Sequence, residues 1–331
     1  MKLKKVIFKI GFSKKIGTGH LARSLQVIKY FKKKGITVYL SIDKKFDKKK
    51  INELKKNNFF QKILNFKKFD EEKNFFIKNK IDNLFIDDPK FKFKLQLKFA
   101  KFVKNILLYQ DIPEKNYCNI LINHNLINNA SYKYKKISNE NTKFFLGPEY
   151  FNFNKSEFKT KKTSKDLTIF FGGLSNHVLI QNALRDIMES YRKDFKINCF
   201  LGVYNKKITS LKKKYKTINF YKSDNQQFFI NKLSKSYCFI GAGGTALFES
   251  LSLAIPSIIF CTAKNQLNNC NNLNNLNKIL YIKKYKDSFK STFQKLISNK
   301  DFYNQFKKRL ISYSNKISSK KLNDKLFKNL Y

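Results

Sequence analysis

The sequence predicts an α/β protein built from two consecutive Rossmann-like domains. Three observations carry that expectation. Short apolar runs of β character alternate with stretches of helical periodicity along nearly the whole chain. The first β run of each half enters a glycine turn, at Ile16-Gly17-Thr18-Gly19-His20 and again at Phe171-Gly172-Gly173. With 331 residues the chain is long for one α/β core and suits two domains of about 150 to 170 residues each.

In the first half, Val6 to Ile10 reads as the opening strand, and Leu21, Leu25, Ile28 and Phe31 give the helix that follows the glycines. His20 then falls at the helix start, above the carboxyl ends of the strands, where open parallel sheets collect ligands. It is a candidate base there, and equally an exposed histidine opening a helix. Further strands are expected at Val38 to Ile42, Leu84 to Ile86, Ile106 to Tyr109, Ile120 to Ile122 and Phe144 to Leu146. Three of them run into polar residues, Asp87-Asp88-Pro89, Gln110-Asp111 and Asn123-His124-Asn125, so one sheet edge gathers the makings of a binding cleft.

The first domain is expected over residues 1–150, and 151–166, rich in Asn, Lys, Ser and Thr, reads as a linker. The second domain is expected over 167–331. Its strands are Leu167 to Phe171, Cys199 to Val203, Ile218 to Tyr221, Tyr237 to Ile240, Ser257 to Phe260 and Ile279 to Ile282. Its helices show Ile180, Leu184 and Ile187, then Ile208 to Tyr215, Phe228 to Leu233, and Leu247 with Leu251. Residues 265–277 hold eight asparagines and support only a weak helix. From Phe289 to Leu326 a helical tail is expected to pack back across both domains.

The formal charge is +46, from 69 Lys and Arg against 23 Asp and Glu. Only 4 of the cations are Arg, an odd balance for a reader of nucleic acid, which favours the planar guanidinium. Enrichment in Lys, Asn, Ile and Phe fits a base-composition bias toward A and T, so no specific nucleic-acid partner is expected. The field should still draw anionic substrates. Five scattered cysteines without a C-x-x-C pair point to free thiols and a reducing cytoplasm, with no zinc site. Lys9 interrupts the first apolar run and no small-residue cleavage site follows, which argues against a signal peptide. No apolar stretch of about 18 residues exists to span a bilayer.

Gly241-Ala242-Gly243-Gly244-Thr245, after a strand and before a helix, is built to seat a diphosphate on backbone N–H groups. It lacks the Gly-Lys-Ser/Thr ending of a Walker A loop, and it fits the dinucleotide fingerprint only in its G-x-G-x-x-A form. Glu249, one turn further on, is placed to accept hydrogen bonds from a ribose diol, although a solvated helix glutamate would look the same.

These stretches, with Arg23, Leu146-Gly147-Pro148-Glu149-Tyr150 and Lys264-Asn265-Gln266, appear in an order that resembles a bacterial hydrolase family of pseudaminic acid biosynthesis. Its members act on UDP-2,4-diacetamido-2,4,6-trideoxy-β-L-altropyranose. The resemblance implies a glycosyltransferase B-like fold, with two Rossmann-like domains facing across a cleft and UDP on the C-terminal one. It implies His20 as the general base that activates water at the anomeric carbon, with inversion and without metal or cofactor. Gly19 would line the sugar site, Gly243, Gly244 and Thr245 the diphosphate, Glu249 the ribose, and Asn265 with Gln266 the sugar or phosphate side. Arg23, Gly172 and Gly173 complete the implied substrate-binding set. The chain departs from the family pattern at Lys9 and Gly11, where Arg and Asp are usual, and at Asp88, Pro89 and Ser175. His124 and His177 match no family histidine. Two other readings share the residues: a glycosyltransferase using a UDP-sugar, and a catalytically silent protein that binds sugar nucleotides or polyanions.

Overall fold

The structure, a computed structural model, describes residues 4–330 apart from 14–15, 17–18, 43–47, 57, 159–164, 174–176, 191–194, 203–204, 206–207 and 318. It divides into two units, residues 1–152 with 319–331, and residues 153–318.

Unit 1 holds β1 (Lys5–Ile10), α1 (Gly19–Lys33), β2 (Thr37–Ser41), α2 (Lys48–Lys56), β3 (Lys62–Leu64), α3 (Phe69–Lys78) and β4 (Asn83–Asp87). After them come α4 (Phe93–Ala100), β5 (Asn105–Tyr109), β6 (Ile120–Asn123), α5 (Ala130–Lys135) and β7 (Lys143–Leu146). The strands form one parallel sheet in the order β3-β2-β1-β4-β5-β6-β7. Because side chains alternate across a strand, β1 feeds two cores. Val6, Phe8 and Ile10 pack with Leu21, Val27, Ile28 and Phe31 of α1 on one face. Ile7 joins Phe76 and Phe99 on the other. Strand β3 was not expected; Lys62-Ile63-Leu64 is too short an apolar run to announce itself.

Unit 2 repeats the plan with β8 (Asp166–Phe170), α6 (His177–Glu189), β9 (Lys196–Leu201), α7 (Ile208–Lys214), β10 (Asn219–Lys222), α8 (Gln226–Leu233) and β11 (Ser236–Ala242). It continues through α9 (Thr245–Ser252), β12 (Ser257–Phe260), α10 (Leu267–Asn275), β13 (Leu280–Ile282), α11 (Tyr285–Ser298) and α12 (Lys300–Ser314). Its parallel sheet runs β10-β9-β8-β11-β12-β13. Strand order therefore reverses between β1 and β4 in unit 1 and between β8 and β11 in unit 2, the places where such sheets open a crevice.

Three expectations change. The stretch read as a linker starts with buried aromatics, since Phe151, Phe153 and Phe158 are 1%, 4% and 6% exposed, so the polar composition around them hid apolar anchors. Gly241 and Ala242 still belong to β11, and the turn proper is Gly243-Gly244. The expected second domain runs to residue 331, but the last helix of the tail, α13 (Ser319–Leu330), belongs to unit 1. There Leu322 and Leu326 are fully buried in the core that holds Phe8 and Phe31. A periodicity of leucines shows that a helix has an apolar face, and nothing in it says which core receives that face.

Leu326→Ala should therefore destabilise unit 1 by about 2–5 kcal/mol, the range for a buried leucine truncated to alanine. The check is urea unfolding followed by a probe in unit 1, such as exchange protection of the β1 and β4 amides.

Candidate active site

The reversal point of the first sheet brings together the residues that matter. α1 begins at Gly19, so His20 is its second residue; Gly17 and Thr18 of the same motif lie outside the described residues. β4, hydrogen-bonded to β1, ends at Asp87, whose side chain is fully buried. His20 Nδ1 lies 2.6 Å from Asp87 Oδ1. Arg23, one turn along α1, donates from Nε to Asp87 Oδ2 at 2.8 Å and from a terminal nitrogen to Asp111 Oδ1 at 2.6 Å. Ser24 donates to Asp87 Oδ2 at 2.9 Å. The α-helical spacing of His20, Arg23 and Ser24 puts all three over one carboxylate.

The charge state follows from the neighbours. Burial alone would raise the Asp87 pKa, but the Arg23 guanidinium, then His20, hold it well below the usual carboxylate range. Asp111 is likewise lowered against its burial, chiefly by Arg23. Arg23 stays charged because Asp111 and Asp87 outweigh its own desolvation. An ionised Asp87 can only accept, so Nδ1 of His20 carries the hydrogen and donates it. The 3.0 Å approach of Arg23 to the same Nδ1 is then a proximity and not a second hydrogen bond. The lone pair of neutral His20 is left on Nε2, the atom a base uses.

A second tier surrounds this centre. The Arg23 guanidinium stacks on the Tyr109 ring at 3.9 Å, and the Tyr109 hydroxyl shares a 2.7 Å hydrogen bond with His124 Nδ1. Burial, then the Arg23 charge, push His124 down to about 3, so it is neutral at ordinary pH and serves as a packed polar wedge. The Asn125 amide donates to the Asp111 main-chain carbonyl at 3.2 Å, and the Asn123 amide donates to the Tyr134 hydroxyl at 2.8 Å. The polar strand ends singled out in the sequence thus do meet at one edge. Their pairing with His20 and Arg23 was missed; the available signal was an Asp at the end of the strand beside β1. Arg23, expected at the substrate, is instead 4% exposed with its nitrogens committed to two carboxylates.

The departures from the family pattern have local reasons. Lys9 points to the other sheet face, where its ammonium meets Glu72 of α3 at 2.8 Å and Ser41 at 3.3 Å. At Gly11 a Cβ would lie 2.9 Å from Asp88 Oδ1 and 3.0 Å from Pro89 Cδ, so the Asp88-Pro89 pair leaves no space for a side chain.

In unit 2 the reversal point presents Gly172 and Gly173 after β8 and Gly243-Gly244 after β11. Gly172 has φ +83° with open space where a Cβ would be, the left-handed conformation that favours glycine. A Cβ on Gly243 would lie 2.6 Å from Cys270 Sγ, so that position admits no side chain. Gly243 donates its N–H to the Phe260 carbonyl and Leu247 donates to the Gly244 carbonyl, each at 3.0 Å, so within the first turn of α9 the amides of Thr245 and Ala246 are the ones placed to face a ligand. Gln266 sits beside the turn, its Oε1 accepting from Thr262 N at 2.9 Å, while Asn265 is exposed on the short 3-10 turn Lys264–Gln266. Glu249 is not the solvated helix residue its sequence context suggests. It is 4% exposed, accepts a 2.9 Å hydrogen bond from the Gln226 amide, and is pushed up to about 7 by burial, which that hydrogen bond only partly offsets.

No protein-family model matches the chain, and no curated protein matches it. Solved structures do. The Arabidopsis thaliana UGT89C1 complexed with UDP-L-rhamnose superposes with a TM-score of 0.69 at 12% identity, over 100% of both chains. MurG of Acinetobacter baumannii gives 0.64 at 10% identity, over 98% of this chain and 99% of its own. The spinosyn rhamnosyltransferase SpnG complexed with thymidine diphosphate gives 0.63 at 9%, over 98% and 100%. These likenesses define the class of fold, two Rossmann-like domains of the glycosyltransferase B type.

Arg23→Met should cost about 3–5 kcal/mol, because Asp87 is left buried without its guanidinium. Asp87 is more acidic folded than unfolded, so this stabilisation is fully present above the ordinary carboxylate value near 3.8 and is lost as pH falls below it. Denaturant unfolding of wild type and variant from pH 7 to pH 2 should show the difference shrink below about pH 4.

Proposed function

We propose that the protein transfers a glycosyl group from a uridine diphosphate sugar to a hydroxyl, with inversion, using His20 as the general base. The observation that carries this reading is the His20–Asp87 pair, which fixes the hydrogen on Nδ1 and leaves Nε2 as acceptor at the carboxyl edge of the sheet. The solved structures of similar fold, carrying UDP-L-rhamnose and thymidine diphosphate, support nucleotide-sugar chemistry.

In the proposed step, Nε2 takes the proton of the attacking hydroxyl as its oxygen bonds to the anomeric carbon. The bond from that carbon to the diphosphate oxygen breaks, and its electron pair leaves with UDP. The diphosphate is a good leaving group, so the protein's share is positioning, proton removal and charge stabilisation. The Gly243-Gly244 turn and the start of α9 suit the diphosphate, and Glu249 suits the two ribose hydroxyls. Gly19 would line the sugar, with Gly172, Gly173, Asn265 and Gln266 near it or the phosphates. Arg23 acts through Asp87 and is a positioning residue.

Hydrolysis, with water in place of the acceptor hydroxyl, is the second reading. It rests on the order of the His20, Gly147, Gly172, Gly243 and Gln266 motifs, which resembles the hydrolase of pseudaminic acid biosynthesis. Release of free UDP and sugar without any acceptor favours it; dependence of UDP release on an added alcohol or saccharide favours transfer.

His20→Ala should lower kcat for UDP release by about 10²- to 10⁴-fold while UDP affinity by calorimetry changes little. Equal turnover in both proteins would remove His20 from the mechanism. Ribose hydroxyls donate best to an ionised Glu249, so UDP affinity should rise with pH through about 7, with a proton released on binding. Titration in buffers of different ionisation enthalpy detects that proton, and Glu249→Gln should remove the Glu249 share of the release and of the pH dependence, leaving the share due to the terminal phosphate of UDP.

A further inference from the structure

The Leu146 to Tyr150 stretch has no role in the chemistry above, yet its residues 146–149 line an open cavity of about 470 Å³ in unit 1. The rest of the lining comes from the β6–α5 connection and the first turn of α5, residues 125–127 and 129–132. Both segments leave the carboxyl edge of the same sheet that ends in Asp87 and Asp111. The volume lies within the range of small-molecule sites, roughly 300 to 1,000 Å³.

The lining is mixed in a particular way. Tyr132 is 61% exposed, and the partly exposed Leu126 gives further apolar surface. Lys136 lies 4.3 Å over the Tyr132 ring, so one aromatic face is covered. Glu149 and Asn129 add a carboxylate and an amide. The carboxylate is built into the wall: Gly147 has φ +111°, and a Cβ there would lie 2.5 Å from Glu149 Oε2. Only glycine lets the chain turn there and the carboxylate fold over it. Lys321 is 3.7 Å from Glu149 Oε1, a loose pair at the rim that leaves Oε2 for other donors.

The cavity also adjoins the catalytic cluster. Asn125 lines it, and the same side chain donates to the Asp111 main-chain carbonyl at 3.2 Å and carboxylate at 3.4 Å. Asp111 in turn holds Arg23, which holds Asp87 and, through it, His20. A ligand seated here is therefore one residue removed from the group of side chains that orients the base.

An anionic ligand would meet the Glu149 carboxylate, and a wholly apolar one would bury that carboxylate unpaired. A neutral hexose ring offers what the lining asks for, C–H faces for Tyr132 and hydroxyls for a carboxylate and an amide. We propose that this cavity is a saccharide subsite, taking a hexose ring against Tyr132 with its hydroxyls on Glu149 and Asn129. The proposal deepens the reading of His20 as the base of a sugar-nucleotide enzyme and rests on it for the link to turnover. The ring has two sources, the glycosyl group of the donor or the acceptor.

Saturation-transfer NMR of the full chain with a panel of methyl hexosides, including methyl N-acetylglucosaminide, tests binding without turnover. At least one glycoside should bind wild type and His20→Ala alike, and bind Tyr132→Ala and Glu149→Gln about tenfold more weakly. UDP affinity should be the same in all four proteins. A KM for UDP-N-acetylglucosamine that rises about tenfold in the two cavity variants without acceptor assigns the site to the donor; a rise seen only in the acceptor's KM assigns it to the acceptor. No glycoside binding to wild type, or equal binding to both cavity variants, overturns the proposal. Loss of turnover in the expected way by His20→Ala, with no glycoside effect, would sink the subsite alone. Intact glycoside binding with an indifferent His20→Ala would sink the mechanism alone.

Discussion

A guanidinium with almost no access to water has to be met by carboxylates, and unit 1 is arranged around that requirement at Arg23. Its nitrogens reach Asp87 at the end of β4 and Asp111 just past β5, and its face lies on Tyr109 of β5. One side chain on α1 thereby fixes the helix against two neighbouring strands. A buried ion group of this kind is weak evidence for net stability, since desolvation of three charges opposes their attraction. Its consequence is geometric. Asp87 is anchored from Arg23 and Ser24 as well as from His20, so the imidazole hydrogen has one direction in which to point.

The same cluster suits proton transfer. It holds two carboxylates to one guanidinium, so with His20 neutral it carries one excess negative charge. A proton arriving on Nε2 balances that charge, in surroundings of low polarity where the compensation counts for more than it would in water. Unit 2 follows the opposite logic. It offers backbone amides at a helix start and a buried carboxylate, Glu249, whose ionisation is opposed by burial and is ready to be favoured by hydroxyl donors. Thus one unit holds a cluster whose charges are fixed by their mutual pairing, and the other holds a carboxylate whose ionisation its surroundings can still change.

How much of this was legible depends on the range of the interaction. The alternation of strand and helix, the glycine turn at Gly172-Gly173 and the polar strand ends were readable because each is decided within a few residues. The sheet order places β4 beside β1, and that long-range neighbour is what turns Asp87 from one polar strand end among three into the partner of His20. Burial was misjudged where it depends on distant packing. Glu249 looked like a surface residue until α8 supplied Gln226, and Arg23 looked like a ligand contact until two strands claimed it. Likewise the α13 leucines were readable as an apolar face, while the core that takes them lies some three hundred residues back in the chain.

The composition adds a separate argument about Arg23. The chain uses lysine for 65 of its 69 cations, and arginine is scarce. Among the described residues Arg23 is the one buried Lys or Arg side chain. A lysine there would present one compact, strongly hydrated ammonium, unable to give separate hydrogen bonds in fixed directions to Asp87 and Asp111 while stacking on Tyr109. At Lys9, by contrast, the partner is a single carboxylate, Glu72, reached by a flexible stem, and an ammonium suffices. The residue type at each site thus follows the number and direction of the bonds required, even in a chain so strongly biased toward one cation, and that makes planar geometry rather than charge the property on which the His20 centre turns.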